Sequence, residues 1–278
     1  MPNTQHPSSA SKQRLDKTLV ERGLAPTRSQ AEHLVALGEV RVGGKVATKS
    51  GQMVGESDDI TVAKRERYVS RAGLKLASVA DKLDVKFEGR VVLDVGSSTG
   101  GFTDYALRHG AKRVVAVDVG TDQLHPSLHG HPQIDLHEKT DIRNVRFLNV
   151  DAGGSGQVNP EITYITPEID IIVIDVSFIS IRKVLGHLAE IIGASNLEHR
   201  TSNIEVVTMV KPQFEADRSQ LTRGGIVKND RARRDILRDF EQWSAREWRI
   251  VDKADSDVTG THGNRERFYK LVLVSAKR

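Results

Sequence analysis

From residue 91 onward, short apolar runs alternate with longer segments that are apolar on one face only. Continuous apolar runs are typical of buried strands, and one-faced segments are typical of surface helices. The alternation predicts an α/β fold with a doubly wound parallel sheet. The predicted strands are Val91–Val95, Val114–Asp118, a weaker one at Leu136–Thr140, Ile169–Val176, Val206–Lys211, Ile250–Asp252 and Phe268–Val274. The predicted helices are Phe102–His109, Ile181–Ile192 and Asp230–Trp248.

Residues 12–62 show a different pattern, with two short helices followed by short strands. Leu15, Leu19 and Val20 share one face of a helix over residues 14–22, and Gly23 ends it. Thr27 can cap a second helix over residues 28–37. Val40–Val42 and Lys45–Val46 flank two glycines and predict a tight hairpin, and Asp59–Val62 predicts another strand.

These patterns divide the chain into four predicted segments. Residues 1–11 are a disordered tail, residues 12–62 a small α+β domain, residues 63–68 a charged linker, and residues 69–278 the larger α/β domain. The segment from Asp151 to Pro167 is glycine-rich and aperiodic, so we predict a surface loop there.

The amino-acid composition excludes some kinds of site and some kinds of binding partner. The chain has no cysteine, which excludes disulfides, thiolate metal sites and cysteine nucleophiles. Residues 1–11 carry neither an apolar core nor a charge, and no apolar run approaches the roughly 20 residues that a bilayer requires. We therefore expect a cytoplasmic protein with no membrane partner. Residues 1–67 hold 11 Lys and Arg against 8 Asp and Glu, an excess that weakly favours an acidic polymer as partner.

The glycine-rich turn after the first predicted strand of the larger domain is the first sign of a ligand. Asp94 precedes Gly96, and the spacing differs from the dinucleotide pattern G-x-G-x-x-G. A carboxylate there would repel a pyrophosphate, but it can accept hydrogen bonds from an ammonium group. Asp118 ends the next predicted strand, where the ribose of a bound nucleoside would lie. Asp141 lies at the polar end of the third predicted strand and is suited to contact an adenine amino group. The turn therefore favours S-adenosylmethionine over a dinucleotide.

Three charged residues stand where predicted strands end or begin. Asp175 and Lys211 follow apolar runs, and Glu266 opens the last strand. Lys75 lies on a short helix that could cover the same edge of the sheet. In an open parallel sheet, ligands bind beyond the carboxyl ends of the strands, so these side chains are candidates for chemistry. An ion-pair cluster that only closes the edge of the sheet is the alternative for Asp175 or Lys211 taken singly.

The first domain resembles the RNA-binding domain named after ribosomal protein S4. The resemblance rests on residues 14–16 (Arg-Leu-Asp), 27–31 (Thr-Arg-Ser-Gln-Ala) and 38–45 (Gly-Glu-Val-Arg-Val-Gly-Gly-Lys). It implies that the two helices present basic residues to structured RNA. A helical hairpin used only for folding or dimer contacts is the alternative. The expected RNA-binding residues are Arg14, Lys17, Arg28, Ser29, Gln30, Arg41 and Lys45.

From about Lys12 to the C-terminus, the chain resembles the TlyA family of FtsJ-like ribosomal-RNA methyltransferases, some members of which have been labelled haemolysins. The matching motifs are residues 70–76 (Ser-Arg-Ala-Gly-Leu-Lys-Leu), 94–103 (Asp-Val-Gly-Ser-Ser-Thr-Gly-Gly-Phe-Thr), 173–180 (Val-Ile-Asp-Val-Ser-Phe-Ile-Ser), 210–215 (Val-Lys-Pro-Gln-Phe-Glu) and 263–268 (Gly-Asn-Arg-Glu-Arg-Phe). The resemblance implies a Rossmann-like methyltransferase sheet and transfer of a methyl group to a ribose 2′-hydroxyl of ribosomal RNA or ribosomal subunits, at cytidines. The family's catalytic tetrad maps onto Lys75, Asp175, Lys211 and Glu266.

Roles within this tetrad follow from the chemistry. A 2′-hydroxyl is a poor nucleophile that must be oriented and largely deprotonated in the transition state. Lys211 could hold its oxygen and stabilise the alkoxide, or take its proton, while Asp175 and Glu266 fix the ammonium groups and Lys75 positions the acceptor nucleotide. The expected contacts of S-adenosylmethionine are Arg71, Asp94, Gly96, Ser98, Gly100, Gly101, Phe102, Asp118, Val119, Asp141 and Ile142.

Three other functions are less well supported by the sequence. A methyltransferase for a small hydroxylated molecule would not need an RNA-binding domain. A membrane-active haemolysin would need a spanning stretch or a strongly amphipathic helix rich in aromatic residues, and the sequence shows neither. A non-catalytic RNA-binding or ribosome-assembly factor would have no use for the tetrad. The sequence indicates neither the oligomeric state nor the modified nucleotide.

Four histidines between the second and third strands have a spacing that could suit a metal. They are His125, His129, His131 and His137. Because neither a cysteine nor a helix holds them on one face, we favour a solvated loop over a metal site.

Overall fold

The computed structural model describes residues 12–25, 27–36, 38–62, 68–147, 161–165, 168–194, 204–260 and 263–274. Its Cα positions divide into two compact units, Met1–Glu66 and Arg67–Arg278. The predicted tail and residues 63–67 of the predicted linker lie outside the described residues.

The first unit packs two helices against short antiparallel strands. Leu15, Leu19, Ala31, Leu34 and Val40 are among the buried residues of its apolar core. Its elements are β1 (Gln13–Arg14), α1 (Leu15–Glu21), α2 (Arg28–Ala36), β2 (Val40–Val42), β3 (Lys45–Val46), β4 (Met53–Val54) and β5 (Ile60–Val62).

Both predicted helices and the predicted hairpin are confirmed in this unit. The backbone N–H of Gln30 donates to the Thr27 hydroxyl at 3.2 Å, as a capping residue requires. Strand β2 pairs with β3 and β5, and β1 pairs with β4. The β1–β4 pair was not predicted, because two-residue strands are too short to show an alternating pattern.

The second unit is built on a seven-stranded sheet. Its strand order is β13-β14-β12-β11-β6-β7-β8, and β9 pairs with β10 in a separate small parallel sheet. The helices are α3 (Arg71–Ala80), α4 (Gly101–Arg108), α5 (Ile181–Ala194), α6 (Pro212–Glu215) and α7 (Asp230–Ser244). The strands are β6 (Val91–Val95), β7 (Arg113–Val117), β8 (Ile134–His137), β9 (Val145–Phe147), β10 (Thr163–Ile165), β11 (Ile171–Ile174), β12 (Glu205–Val210), β13 (Trp248–Asp255) and β14 (Arg267–Leu273).

The sheet is parallel from β12 to β8, and β14 runs antiparallel to β12. Helices α5 and α7 pack on one face, and α3 and α4 pack on the other. Residues along β6 alternate between these two cores: Leu93 belongs to the first and Val92 to the second. This alternation turns Asp94 toward the face that α4 covers. The predicted α/β sheet is thus confirmed.

Several predictions in this unit are wrong in extent. The strand predicted over Ile169–Val176 is shorter, Ile171–Ile174, and the strand predicted over Ile250–Asp252 is longer, Trp248–Asp255. The helix predicted over Asp230–Trp248 ends at Ser244, and Trp248 instead begins β13, where it is buried against the core. The third strand is Ile134–His137 rather than Leu136–Thr140, since β8 is an edge strand with little apolar sequence. Thr163–Ile165, part of the predicted loop, pairs with β9. Residues 151–160, 166 and 167 of that loop lie outside the described residues.

Candidate active site

The carboxyl edge of the sheet collects the charged residues that the sequence singled out. Asp175 follows β11 and Lys211 follows β12 by one residue each. Because β14 is antiparallel to β12, its beginning lies at the same edge, with Val210 opposite Arg267. That register places Lys211 and Glu266 at neighbouring positions.

The four tetrad residues form two close ion pairs. Nζ of Lys211 lies 2.6 Å from Oδ1 of Asp175, and Nζ of Lys75 lies 2.9 Å from Oε1 of Glu266. Each of these side chains is at most 16% exposed. Charges so poorly hydrated require partners, so pairing fixes both lysines in one geometry. Lys211 also donates to the Ser177 hydroxyl at 2.7 Å.

A small cleft of about 130 Å³ opens beside the first pair. It brings Asp175 and Lys211 together with the glycine-rich turn, whereas Lys75 and Glu266 are not among its lining residues. The lining residues are Ala72, Asp94, Gly96, Ser97, Ser98, Thr99, Phe102, Asp175, Ser177 and Lys211.

Asp94 places a buried carboxyl group at the floor of this cleft. Its side chain has no exposed surface, and Oδ2 accepts a hydrogen bond from the Thr103 hydroxyl at 2.6 Å. Oδ1 has no hydrogen-bond partner within the described part of the chain. Burial, with a smaller contribution from the nearby charge of Asp175, raises the pKa of Asp94 to about 7. The group is therefore a candidate to receive a cationic ligand.

The turn above Asp94 depends on its glycines. Gly96 has a φ of +81°, and a Cβ there would lie 2.6 Å from the carbonyl oxygen of Asp175. Gly100 has a φ of +85° and precedes α4, and a Cβ there would meet two leucine side chains. Since only glycine fits both the backbone angles and the close approaches, the turn can bring its N–H groups close to a ligand.

Asp118 and Val119 lie at the end of β7, next to this turn. The carboxylate of Asp118 accepts hydrogen bonds from the N–H of Ser98 at 2.8 Å and from that of Gly120 at 2.7 Å. Val119 is 71% exposed. An acidic residue beside an exposed apolar side chain fits the ribose and adenine of a nucleoside.

Four other residues expected at the methyl donor are held by contacts within the protein. Arg71 donates to the carbonyl oxygen of Thr259 at 2.6 Å. Asp141 pairs with Arg143, which lowers the pKa of that carboxyl group, and Ile142 is buried. A Cβ on Gly101 would lie 2.2 Å from the Ser70 hydroxyl, so this glycine lets α3 cross α4 closely. Arg71 would have to leave Thr259 to reach a donor carboxylate.

Two aromatic side chains at this edge are candidate functional residues that were not among those expected from the sequence. Phe178 is 93% exposed, has a φ of +64°, and lies 5.5 Å from the ring of Phe214. Nζ of Lys211 lies 6.0 Å from the centre of the Phe214 ring. A left-handed backbone is costly for an aromatic residue, and strain of this kind is found mostly at functional sites. Exposure and φ cannot be predicted from the sequence motifs that contain these residues.

Glu215 ties together the two segments that carry Asp175 and Lys211. Its carboxylate accepts hydrogen bonds from the Ser180 hydroxyl at 2.8 Å and from the N–H of Ile181 at 2.7 Å, and it pairs with Arg182. Burial raises the pKa of Glu215 despite these partners. This contact joins α6 to the start of α5.

The expected RNA-binding residues of the first unit lie at its surface. Arg14 is partly buried, because it contacts the carboxylate of Asp16. Arg41 donates to the carbonyl oxygen of Gly44 at 3.0 Å. The exposed members of the set are Lys17, Arg28, Ser29, Gln30, Arg41 and Lys45.

The histidines form local hydrogen bonds. His129 contacts the carbonyl oxygen of Leu124 at 2.7 Å, and His125 accepts from the N–H of Ser127. Among the described residues, no group of three or more histidine and carboxylate side chains is arranged to hold a metal ion. No helix in the described ranges has the length and apolar character needed to span a bilayer.

Comparison with known proteins gives two family matches. The FtsJ-like methyltransferase family matches residues 68–272, and the S4 domain matches residues 13–60. The chain is 35% identical to the 16S/23S rRNA (cytidine-2′-O)-methyltransferase TlyA of Mycobacterium tuberculosis, over 94% of this chain and 90% of that protein. It is 34% identical to Hemolysin A of Brachyspira hyodysenteriae, over 94% of this chain and all of that protein.

A solved structure shows the same similarity. It is described as a candidate hemolysin from Streptococcus thermophilus, has 31% sequence identity to this chain, and superposes with a TM-score of 0.61. The comparison covers 96% of this chain and 90% of that structure.

Proposed function

The chain belongs to the FtsJ-like methyltransferase family, and from this premise we propose that it transfers a methyl group from S-adenosylmethionine to a ribose 2′-hydroxyl of ribosomal RNA, at a cytidine. The observation that carries the proposal is the Lys211–Asp175 pair, which lines the same cleft as the glycine-rich turn. A group that can activate a hydroxyl thus lies next to a site that fits a methyl donor.

The donor site fits S-adenosylmethionine on three features of this chain. The unpartnered Oδ1 of Asp94 offers a buried acceptor to a cationic ligand. Gly96 and Gly100 have no side chains, so the backbone of the turn can approach a ligand closely. Asp118 would accept hydrogen bonds from ribose hydroxyls. When bound, S-adenosylmethionine supplies an electrophilic methyl group on a positively charged sulfur.

Lys211 would act directly on the acceptor. Its Nζ already donates to Ser177 and pairs with Asp175, so it is held at the wall of the cleft. An ammonium at this position stabilises negative charge as it develops on the 2′-oxygen, or its neutral form takes the hydroxyl proton at Nζ. Preorganisation by Asp175 avoids the cost of moving the lysine during the reaction.

Lys75 and Glu266 would serve the acceptor nucleotide. Their ion pair is nearly buried at the same edge of the sheet but does not line the small cleft. Glu266 balances one of two lysines that would otherwise repel each other. Lys75 is then available to meet a ribose or phosphate oxygen of the acceptor strand.

Phe178 would provide a stacking surface for an RNA base. Its exposed ring lies three residues beyond Asp175, supported by Phe214. Stacking of a base on an aromatic side chain contributes about 1–3 kcal/mol and tolerates any base identity. An exposed ring at this edge has no evident use for a small hydroxylated acceptor, which argues for a nucleic-acid substrate.

The S4 domain favours RNA as substrate for the same reason. A domain of this type would anchor structured RNA while the second unit carries out the chemistry, and a protein that acts on ribosomes is expected in the cytoplasm. A small-molecule methyltransferase would need no such module. A non-catalytic ribosome-assembly factor would not need the two lysine–carboxylate pairs near the glycine-rich turn.

The test is transfer of radiolabelled methyl from S-adenosylmethionine to ribosomal subunits that lack the modification. The proposal expects label in RNA, resistance of one linkage to alkaline cleavage, and 2′-O-methylcytidine after nuclease digestion. Label on a base, or donor binding with no transfer to any subunit, would contradict it. The second result would favour the non-catalytic function or a small acceptor.

A further inference from the structure

A buried carboxylate holds two of the expected RNA-binding arginines. Asp16 accepts hydrogen bonds from Nε and Nη2 of Arg14 at 3.0 and 2.7 Å, and from Nε of Arg28 at 2.9 Å. The N–H of Lys17 donates to the same carboxylate at 2.9 Å. One side chain at the start of α1 therefore fixes guanidinium groups from two different elements.

The exposed fractions of Asp16, Arg14 and Arg28 show which of these side chains a ligand can reach. The side chain of Asp16 is 0% exposed, whereas those of Arg14 and Arg28 are 42% and 53% exposed. The guanidinium groups hold the pKa of Asp16 well below its usual range. Each arginine keeps N–H groups that Asp16 does not use, although Nε of Arg28 also lies 3.6 Å from Oε1 of Glu32, so the two arginines face two carboxylates.

Arg14 is confined on a second side by the backbone at Gly51. A Cβ on Gly51 would lie 2.8 Å from Nη1 of Arg14, so only glycine leaves the guanidinium where it is. Arg14 and Gly51 line a groove between α2 and residues 48–52, which also includes Lys49 and Glu32. Arg14 is thus held by Asp16 at a groove that contains one further cation and one carboxylate.

We propose that Asp16 is a positioning residue that presets Arg14 and Arg28 to bind phosphodiester oxygens of RNA, with Lys49 beside Arg14 in the groove. This inference rests on the proposed function, since it takes RNA as the partner. Planar guanidinium groups bind phosphate through paired N–H groups, and holding them in place beforehand lowers the entropy lost on binding. Asp16 thus strengthens binding to a polyanion although it carries a negative charge.

The direction in which Asp16→Asn changes RNA affinity distinguishes a positioning role from simple charge attraction. If only net charge mattered, Asp16→Asn would bind RNA more tightly, because it removes a negative charge that repels the phosphates. If Asp16 positions the arginines, the same change weakens binding by about tenfold, since two long side chains must be ordered on binding. Glu56→Gln is the matched control: it removes one charge from an exposed side chain of the same unit and should bind as well as wild type or better.

The experiment measures the dissociation constant of the full-length variants for isolated ribosomal subunits by filter binding, and then steady-state methyl transfer to them. We expect Asp16→Asn to raise the KM for subunits about tenfold while kcat and the dissociation constant for S-adenosylmethionine stay unchanged. A merely structural loss would lower the active fraction and hence kcat. Circular dichroism and thermal unfolding check the fold.

A second variant displaces Arg14 without changing any charge. Gly51→Ala would push Nη1 of Arg14 from its place and should weaken subunit binding in the same direction. Gly55→Ala is its control, because a Cβ at Gly55 would meet its nearest atom at an ordinary 3.6 Å. This pair keeps the proposal testable even if Asp16→Asn fails to fold.

The outcomes separate this inference from the proposed function. Weaker binding by Asp16→Asn or Gly51→Ala, with both controls near wild type, supports the positioning role. Binding by the folded variants that equals or exceeds wild type overturns it. Wild-type binding to subunits without methyl transfer would contradict the proposed reaction, while the same variant series would still decide the role of Asp16. No wild-type binding would overturn both.

Discussion

Nζ of Lys211 lies 2.6 Å from Oδ1 of Asp175, at the mouth of a cleft that the glycine-rich turn also lines. The two residues follow neighbouring parallel strands by one position each. The sheet therefore sets their separation, and neither depends on a long loop for its placement. A pair held this rigidly can be preorganised for a transition state.

Asp175→Asn should lower kcat for methyl transfer by at least about 100-fold, the usual loss when a group that supports proton transfer is removed. The amide cannot balance the charge of Lys211, so the ammonium loses its fixed position. Single-turnover rates at saturating subunits measure the effect. Asp257→Asn is the control, since it breaks an exposed pair with Lys82. Equal rates for Asp175→Asn and wild type would remove Asp175 from the mechanism.

Ser177→Ala should reduce kcat about tenfold and leave donor binding unchanged, because it removes one hydrogen bond from a charged group, Lys211. Ser177→Thr keeps the hydroxyl and should recover most of the rate. Initial-rate kinetics with both variants provide the measurement. If alanine and threonine behave alike, the hydroxyl does not position Lys211.

Phe178→Ala should weaken productive RNA binding by about 1–3 kcal/mol, seen as a higher KM or lower kcat for subunits. Phe178→Trp should remain active because it keeps a stacking ring. Phe178→Gly should lose as much productive binding as Phe178→Ala but should be about 1 kcal/mol more stable than it, because the φ of +64° suits glycine. Kinetics and urea unfolding test both statements, and full activity of Phe178→Ala would contradict the stacking role.

Asp94 should make the stability of the ligand-free protein fall as pH rises from about 4 to about 7. The pKa of Asp94 in the folded protein is raised to about 7 from an ordinary 3.8, so within this window the folded state holds a proton that the unfolded state has lost. Comparing wild type with Asp94→Asn isolates this contribution, which can reach about 1.4 kcal/mol per pH unit. Urea unfolding at several pH values provides the measurement.

The same group should respond to the methyl donor. A cationic ligand favours the ionised carboxylate, so affinity for S-adenosylmethionine should rise with pH up to about 7 and then level off. Asp94→Asn should show no such rise in calorimetric titrations. A pH-independent wild-type affinity would mean that the ligand does not sense this carboxyl group.

The ends of the central strands were predictable from the sequence, and residues at these ends make up much of the candidate site. A buried central strand needs an uninterrupted apolar run, so the charge that ends the run, as in Asp175 or Lys211, is visible in the pattern. The glycine-rich turn was predictable because its glycines serve backbone angles and close contacts that no other residue tolerates. The pairing of each lysine with one carboxylate was visible only in the fold, because Lys211–Asp175 depends on the register of β11 and β12, and Lys75–Glu266 on the position of α3 beside the start of β14.

Features that depend on tertiary surroundings were not predictable. Residues 241–248 continue a helical pattern, yet Trp248 is drawn into β13 by the apolar core that buries it. Asp16 resembles a solvated charge at a helix start, and only the fold shows two arginines covering it. The exposure and positive φ of Phe178 likewise have no sequence signature.

The role of Lys211 is tested most directly by single-turnover methyl transfer to unmodified ribosomal subunits by wild type and Lys211→Met, with Lys183→Met as an exposed lysine control. Wild type and the control should form 2′-O-methylcytidine at equal rates. Lys211→Met should lose at least about 100-fold in rate, with unchanged binding of subunits and donor. A folded Lys211→Met that transfers methyl at the wild-type rate would show that Lys211 does not activate the 2′-hydroxyl.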